Sequence, residues 1–226
     1  MLSLIDLREA GSVDLATAAY LAAVMRRGGS LLVGARPGGA GKTTVMCALL
    51  NFLPDGCGIR AVGDPRVLGE AERDAQPGTT CYIAHEIGAG PYFAYVWGAQ
   101  ARRFFALGAA GHVLASNLHT DTLDELYEQL CADNGVPEAH VRAITLKVFI
   151  ALEGSGLRPR RVIDRVYHSA DGEERLAWQY GGDGTWQRMD GAAPDATEER
   201  YAALLHDLQQ RGVRRIGAVR AALAGL

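Results

Sequence analysis

Residues 30–54 read SLLVGARPGGAGKTTVMCALLNFLP. The segment opens on a short apolar run, Leu31-Leu32-Val33, and passes through a glycine-rich turn, Gly34 to Gly41. Lys42, Thr43 and Thr44 follow, then an apolar helical run from Val45 to Leu53. Strand, glycine loop, helix is the order that a phosphate-binding loop needs. Glycines let consecutive backbone N–H groups turn inward as a nest for phosphate oxygens, and the helix that starts there adds its positive end. The residues expected around a nucleotide are therefore Gly38, Gly39, Ala40, Gly41, Lys42, Thr43 and Thr44. In this pattern the lysine reaches the β- and γ-phosphates and the hydroxyl of the next residue holds Mg²⁺, which assigns Lys42 and Thr43. The first glycine of G-x-x-x-x-G-K-[ST] falls on Arg36, with Pro37 setting the turn and Gly34 two residues early. The start of the loop is thus expected to depart from the common form. Lys42 and Lys147 are the only lysines, against 21 arginines. A chain that otherwise uses Arg keeps Lys, a compact point charge, at the phosphate position.

Working outward, 226 residues with a net charge of −3 suit one large α/β domain, or a domain with a small appendage. So balanced a charge lacks the basic footprint of a nucleic-acid binder. No apolar run approaches 18 residues, and the N-terminus has no basic segment followed by an apolar one, so neither membrane insertion nor a signal peptide is expected. Cys47, Cys57, Cys81 and Cys131 are scattered without metal-ligand spacing. Cys47 and Cys81 lie in apolar runs and read as reduced core residues, which points to a cytoplasmic location.

Asp14 is placed to cap a helix that runs to about Arg27 and stops at Gly28-Gly29. Gly58 to Val62 reads as a weak strand, closed by Gly63-Asp64-Pro65. Asp64 can order Mg²⁺ or water there, or simply serve a turn before proline. Residues 66–78 allow a short helix ending at Pro77-Gly78. Thr79 to Ala84 reads as a buried strand that delivers His85 and Glu86. A carboxylate at a strand end downstream of such a loop can hold Mg²⁺ through water, or polarise an attacking water. A long aromatic helix is expected from Pro91 to about Leu107, with Arg102 and Arg103 as solvated charges first, or else facing a neighbouring subunit's nucleotide. His112 to Leu118 is another strand, followed by His119 and by a helix from Thr122 to about Ala132. Thr122 and Glu125 have capping-box spacing. His119 falls at the carboxyl end of a strand, the side on which open α/β sheets bind ligands. Pro137 begins a short helix, Leu146 to Leu152 is a strand, and Gly154 to Pro159 turns the chain. Arg161–Ser169 and Glu174–Tyr180 form a β-hairpin around Ala170-Asp171-Gly172. Helices over about 197–210 and 213–224 close the chain, with Arg211, Arg214, Arg215 and Arg220 as a solvated face.

Four segments in this order resemble the type II/type IV secretion and pilus motor ATPases. They are RPGGAGKTT (36–44) as Walker A, AVGDP (61–65) as the "Asp box", CYIAHEIG (81–88) as Walker B and ASNLHTDTLDEL (115–126) as the "His box". The resemblance covers about residues 12–180, and only the Walker A loop is specific by itself. Three departures stand out: Gly63 replaces a glutamate, Gly88 replaces an arginine, and about thirty residues precede the first strand where the family has a sizeable N-terminal domain.

The resemblance implies an α/β, RecA-like P-loop NTPase with a mostly parallel sheet and helices on both faces, plus a C-terminal β-hairpin and terminal helices. Residues 1–29 are then a helical lead-in, 30–160 the ATPase core, and 161–226 the hairpin and terminal helices. It implies ATP and Mg²⁺ as ligands, with Lys42, Glu86, Asp64 and His119 as catalytic residues and Thr43 and Glu86 as metal-holding ones. It also implies a ring of subunits, a hexamer, working with secretion or pilus machinery proteins. Two other functions fit the sequence: a nucleotide-binding regulatory module that hydrolyses little, and a small-molecule kinase.

Overall fold

The computed structural model describes residues 1–74, 76–154 and 159–223. Its main sheet has eight strands. They are β1 (Leu31–Gly34), β2 (Gly58–Ala61), β3 (Thr80–Ile83), β6 (Val113–Leu118), β7 (Leu146–Glu153), β8 (Arg160–Ala170), β9 (Glu173–Tyr180) and β10 (Trp186–Arg188). Their spatial order is β10-β9-β8-β7-β1-β6-β3-β2. From β7 to β2 neighbouring strands are parallel, and from β7 to β10 antiparallel. A separate two-stranded piece pairs β4 (Glu86–Ile87) with β5 (Tyr95–Val96).

Side-chain alternation divides the core into two layers, because successive residues of a strand point to opposite faces. On one face Leu31 and Val33 of β1, Val113 and Ala115 of β6, and Leu146, Val148 and Ile150 of β7 share a core. That core includes α1 (Leu4–Glu9), α2 (Leu15–Arg26), α3 (Lys42–Leu50), α8 (Ala196–Gln210) and α9 (Ile216–Leu223). On the other face Leu32, Tyr82, Leu114, Leu118 and Phe149 meet α4 (Pro65–Ala71), α5 (Ala99–Ala109), α6 (Leu123–Tyr127) and α7 (Glu138–Arg142). Strands covered on both faces are a consequence of parallel crossovers, and they read as near-continuous apolar runs.

Helix starts follow the capping residues. Asp14 accepts from Thr17 N at 2.8 Å and opens α2. Asp195 accepts from Thr197 N and Glu198 N and opens α8. Thr122 Oγ1 accepts from Glu125 N at 3.2 Å, but the Glu125 carboxylate takes the Asp121 N–H instead of completing the box. Past Tyr127 the helix widens into a π-helical turn, Glu128–Asp133. The hairpin turns on Asp171 and Gly172, both with positive φ (53° and 80°), the two-residue turn that matches strand twist.

Four expectations are corrected. The aromatic helix does not begin at Pro91: α5 starts at Ala99, with Gly98 before it at φ 55°. Residues 88–98 are instead held open by the β4–β5 pairing and by His85 N donating to Ala94 O at 2.7 Å, and Tyr92 and Phe93 are exposed. In a helix Gly90 and Ala94 could not keep their positive φ. Arg102 and Arg103 are engaged within the chain, with Asn134 O and with Glu72 respectively. The arginines of the C-terminal segment are not simply solvated: Arg214 pairs with Glu9, and Arg220 binds the carbonyls at the end of α3. The short helix expected within 66–78 is α4, which ends at Ala71. The interior of the Gly154–Pro159 turn and the last residue of the 213–224 helix lie outside the described residues.

Candidate functional site

The strand order sets the site. β1 lies between β7 and β6, and β3 lies beside β6. All run the same way, so the segments that leave β1, β3 and β6 emerge on one edge of the sheet. Those segments carry the glycine loop, Glu86 and His119. They enclose a cavity of about 400 Å³ lined by residues 38–44, Glu86 and His119.

The loop departs from helical geometry at Gly39 (φ 73°) and Gly41 (φ 96°), conformations that an L side chain resists. Among the described residues, the N–H groups of Gly39, Gly41, Lys42, Thr43 and Thr44 donate to no protein acceptor. No side chain caps α3. A nine-residue helix thus presents its positive end and several free donors to the cavity.

Lys42 is buried, with Nζ donating to Ala35 O at 2.8 Å and lying 3.3 Å from His119 Nδ1. Burial draws its pKa below the usual lysine value, with Glu86 and Asp121 pulling the other way. His119 Nδ1 faces Arg36 O at 3.0 Å and Nε2 faces Glu86 Oε1 at 3.1 Å, so both ring nitrogens meet acceptor oxygens. The Glu86 side chain is 11% exposed against 48% for His119. Residues from three different strand ends are therefore in contact before any ligand arrives.

Arg36, at the glycine position of the pattern, ties the loop to the segment after His119. Its N–H donates to Asp121 Oδ1 at 2.7 Å, and its guanidinium forms two bonds to the Glu125 carboxylate. On the other side, Arg161 Nε donates to Gly39 O at 3.0 Å.

Asp64 stands apart. It caps α4 through Arg66 N at 2.8 Å and is paired with the Arg66 guanidinium, whose hydrogen bonds hold its carboxyl below the usual range. It does not line the cavity. A Cβ on Gly63 would come within 2.2 Å of the Phe93 ring, and one on Gly88 would lie 3.3 Å from Glu86 Oε1. Tyr95 stacks on His85, and burial together with the neighbouring Glu86 raises its pKa.

Sequence reasoning missed Asn117, Arg36 as a tether and Arg161. Asn117 Nδ2 donates to His85 O at 2.8 Å and faces Thr43 Oγ1 at 3.4 Å. The signal for it is an amide in the otherwise apolar HVLASNL strand, two residues before His119.

A second cavity of about 460 Å³ shares Gly39, Ala40, Gly41 and Thr44 with the first and is otherwise mainly apolar, with Leu2, Leu7, Val45 and Ile150 in its walls. Among the described residues no group of three or more His, Cys, Asp or Glu side chains is placed to hold a metal. None of their helices is long and apolar enough to cross a membrane.

No protein-family model matches the chain, and no curated protein matches it. Several solved structures are similar, two of them as follows. One is the VirB11 ATPase of the Brucella suis type IV secretion system in complex with sulphate: 20% identity, TM-score 0.48, covering 73% of this chain and 54% of that one. The other is the Legionella pneumophila ATPase DotB: 12% identity, TM-score 0.42, covering 91% of this chain and 56% of that one. The chain thus spans little more than half the length of either. Both are ATPases by name, and the first comes from a type IV secretion system.

Proposed function

We propose that this chain binds Mg·ATP and hydrolyses it as the core of a secretion- or pilus-type motor ATPase. The observation that carries the reading is convergence: a glycine loop with free N–H groups, a buried lysine, a strand-end glutamate and a strand-end histidine meet around one cavity of about 400 Å³. The motif order along the chain supports it independently.

In this reading residues 38–44 form a P-loop. The free N–H groups of Gly39, Gly41, Lys42, Thr43 and Thr44 bind the β-phosphate, and Lys42 leaves Ala35 O and His119 to meet the γ-phosphate. The nucleoside lies in the adjoining apolar cavity against Ala40, Thr44 and Val45. The donor set suits Mg²⁺: a hydroxyl at Thr43 and a carboxylate at Glu86 line one cavity. Mg²⁺ favours one or two protein oxygens together with phosphate oxygens and water. Thr43 and Glu86 would hold it, and when bound it neutralises charge on the phosphates. His119, between Glu86 and the Arg36 carbonyl, reports the γ-phosphate to the segment that follows it. Asp64 can position a water only by leaving its cap on α4. Work as a ring, a hexamer with secretion or pilus proteins as partners in the cytoplasm, belongs to the same proposal and rests on the motif resemblance.

A second reading, a nucleotide-dependent switch with little turnover, is favoured by one specific feature. Among the described residues the carboxylates at the site are already engaged, Glu86 by His119 and Asp121 and Glu125 by the Arg36 segment, and Asp64, which stands apart, is held by Arg66. Steady-state phosphate release from Mg·ATP, wild type against Lys42→Ala at concentrations that permit assembly, decides between them. The motor predicts release that disappears in Lys42→Ala. Release no higher than that background, with ATP still bound, establishes the switch. Absence of ATP binding removes both.

A further inference from the structure

Arg161 is the second residue of β8 and pairs with Leu152 near the end of β7. β8 runs against β7, and β7 runs with β1, so Arg161 stands at the sheet edge where the glycine loop leaves β1. Its Nε donates to Gly39 O at 3.0 Å, and its Cδ lies 3.4 Å from where a Cβ on Gly41 would be. The exposed guanidinium therefore rests against the loop. β8 carries three arginines. Arg160 pairs with Glu153 and Arg165 with Asp164. Arg161 has no carboxylate partner among the described residues, and its Nη groups donate to no protein acceptor among them.

Where this charge sits suggests its use. Among the described residues, Arg160 and Arg161 are the only charged side chains in the walls of the apolar cavity of about 460 Å³, and Arg160 is neutralised by Glu153. One uncompensated cation on an apolar cavity suits a ligand with an apolar body and an anionic end. The cavity shares Gly39, Ala40, Gly41 and Thr44 with the phosphate cavity. A nucleotide that fills both puts its α-phosphate, the joint between nucleoside and β-phosphate, at those shared residues. Arg161 touches two of them, Gly39 and Gly41. A tether from β8 to the loop needs only Nε. A guanidinium tethered that way still offers its Nη donors, in a planar fork that matches phosphate oxygens.

We propose that Arg161 is a nucleotide-binding residue whose Nη groups take the α-phosphate while Nε stays on Gly39 O. The proposal rests on the Mg·ATP reading of this site and deepens it. The ligand is a nucleoside di- or triphosphate gripped also at the phosphate next to its sugar, by a cation from β8 that neither the motifs nor the glycine loop supplies.

The test separates a phosphate contact from a tether. In Arg161→Gln the amide nitrogen is bonded to Cδ, as Nε is in arginine, so the bond to Gly39 O can be kept while the Nη groups are lost. The side chain is exposed, so the fold is expected to hold. Affinities for ATP and for ADP, with Mg²⁺, are measured by calorimetry at low and at high salt for wild type, Arg161→Gln and Arg161→Lys. Losing a charge-assisted hydrogen bond corresponds to about 10–100-fold in affinity. Arg161→Gln is therefore expected to bind about tenfold or more weakly at low salt, by the same factor for ATP and ADP, which share the α-phosphate. Screening narrows the gap to wild type at high salt. Arg161→Lys, which keeps the charge without the fork, is expected to fall between the two. Wild-type affinity in Arg161→Gln overturns the proposal and leaves the tether. A loss confined to ATP overturns it as well, because the contact is then with the γ-phosphate, and so does a loss that salt does not narrow. A wild type that binds neither nucleotide overturns the nucleotide reading itself, a result distinct from the other three.

Discussion

At the scale of single residues, the two lysines show what burial costs and what it is for. Burial lowers the pKa of both, because desolvation disfavours the ammonium. Lys147 has a carboxylate partner, Glu174, whereas Lys42 has a carbonyl and an imidazole. A charge held without a carboxylate partner is a stability debt carried at a functional site. Lys42→Met is therefore expected to keep or raise Tm, while phosphate release falls by about 10²-fold or more, the loss typical of removing one electrostatic stabiliser. Thermal scans with and without Mg·ATP check both halves: wild type shifts upward with ligand and Lys42→Met does not. His168 supplies a pH dependence. It sits on β8 with Nδ1 2.5 Å from the Tyr20 hydroxyl, and burial, reinforced by Arg175 and Arg27 and opposed by Asp190, lowers its pKa. Its folded pKa lies below the unfolded value near 6.5, so the unfolded chain takes the proton first as pH falls. Stability contributed by the neutral imidazole is complete above pH 6.5 and is lost as pH drops through the folded pKa. Thermal unfolding at pH 7.5 and 5.5 is expected to show this loss in wild type and a smaller one in His168→Gln.

At the scale of elements, β7, β8 and β9 are joined by one buried polar cluster. Lys147 Nζ donates to Ile144 O at 3.0 Å, to Ser169 Oγ at 2.7 Å and to the Glu174 carboxylate. Glu174 also accepts from the Tyr127 hydroxyl at 3.0 Å, which reaches across from α6. With Lys147 fully buried, removing only the carboxylate strands the charge, at a cost of about 3–5 kcal/mol for Glu174→Leu. The pair replaced together, Lys147→Met with Glu174→Leu, is expected to return to within about 1 kcal/mol of wild type or to exceed it. Urea unfolding of the four proteins measures the cycle. A double variant as unstable as the single one sinks this account of the cluster. None of this was legible beforehand. Lys147 and Glu174 meet only because β7, β8 and β9 are neighbours, and no local period encodes that. What local rules do encode was legible: the strand–glycine–helix order, the caps at Asp14 and Thr122, the Asp-Gly hairpin, and the strand ends that carry Glu86 and His119. The aromatic run after Pro91 misled because apolar side chains alone suggest a helix. Gly98 is the breaker within that run, and the β4–β5 pairing that holds its first part joins residues too close in sequence to show a period. Asn117 was hidden for a different reason, since its partners, His85 and Thr43, come from segments far from it in sequence.

At the scale of the whole molecule, α3 is the element through which the site meets the chain's far end. Its N-terminus faces the proposed phosphate cavity, and the carbonyls past its C-terminus face two arginines. Arg26 of α2 donates to Leu53 O at 3.2 Å and pairs with Asp55. Arg220 of α9 donates to Asn51 O at 3.0 Å, Leu53 O at 2.5 Å and Pro54 O at 3.2 Å. Cations at a helix C-terminus complement its dipole and satisfy carbonyls that have no partner within the helix. The Arg220 side chain is 34% exposed and Arg26 remains to serve Leu53, so the loss in Arg220→Ala is expected to be about 1–2 kcal/mol, the range for a partly buried helix-end cation. Its distribution matters more than its size. α9 also buries Val219 and Leu223 against the core, and Asn51 Nδ2 donates to Ile216 O at 3.0 Å, so these groups help hold that helix near α3. Hydrogen exchange in Arg220→Ala is expected to rise over residues 216–223 and at Asn51 to Asp55, with α2 and β1 keeping wild-type protection. That pattern identifies a C-terminal helix that opens as a local unit while the sheet and the glycine loop remain folded. Uniform loss of protection across α2, α3 and β1 contradicts it. The C-terminal arginine would then belong to the single cooperative core that also holds the nucleotide site in place.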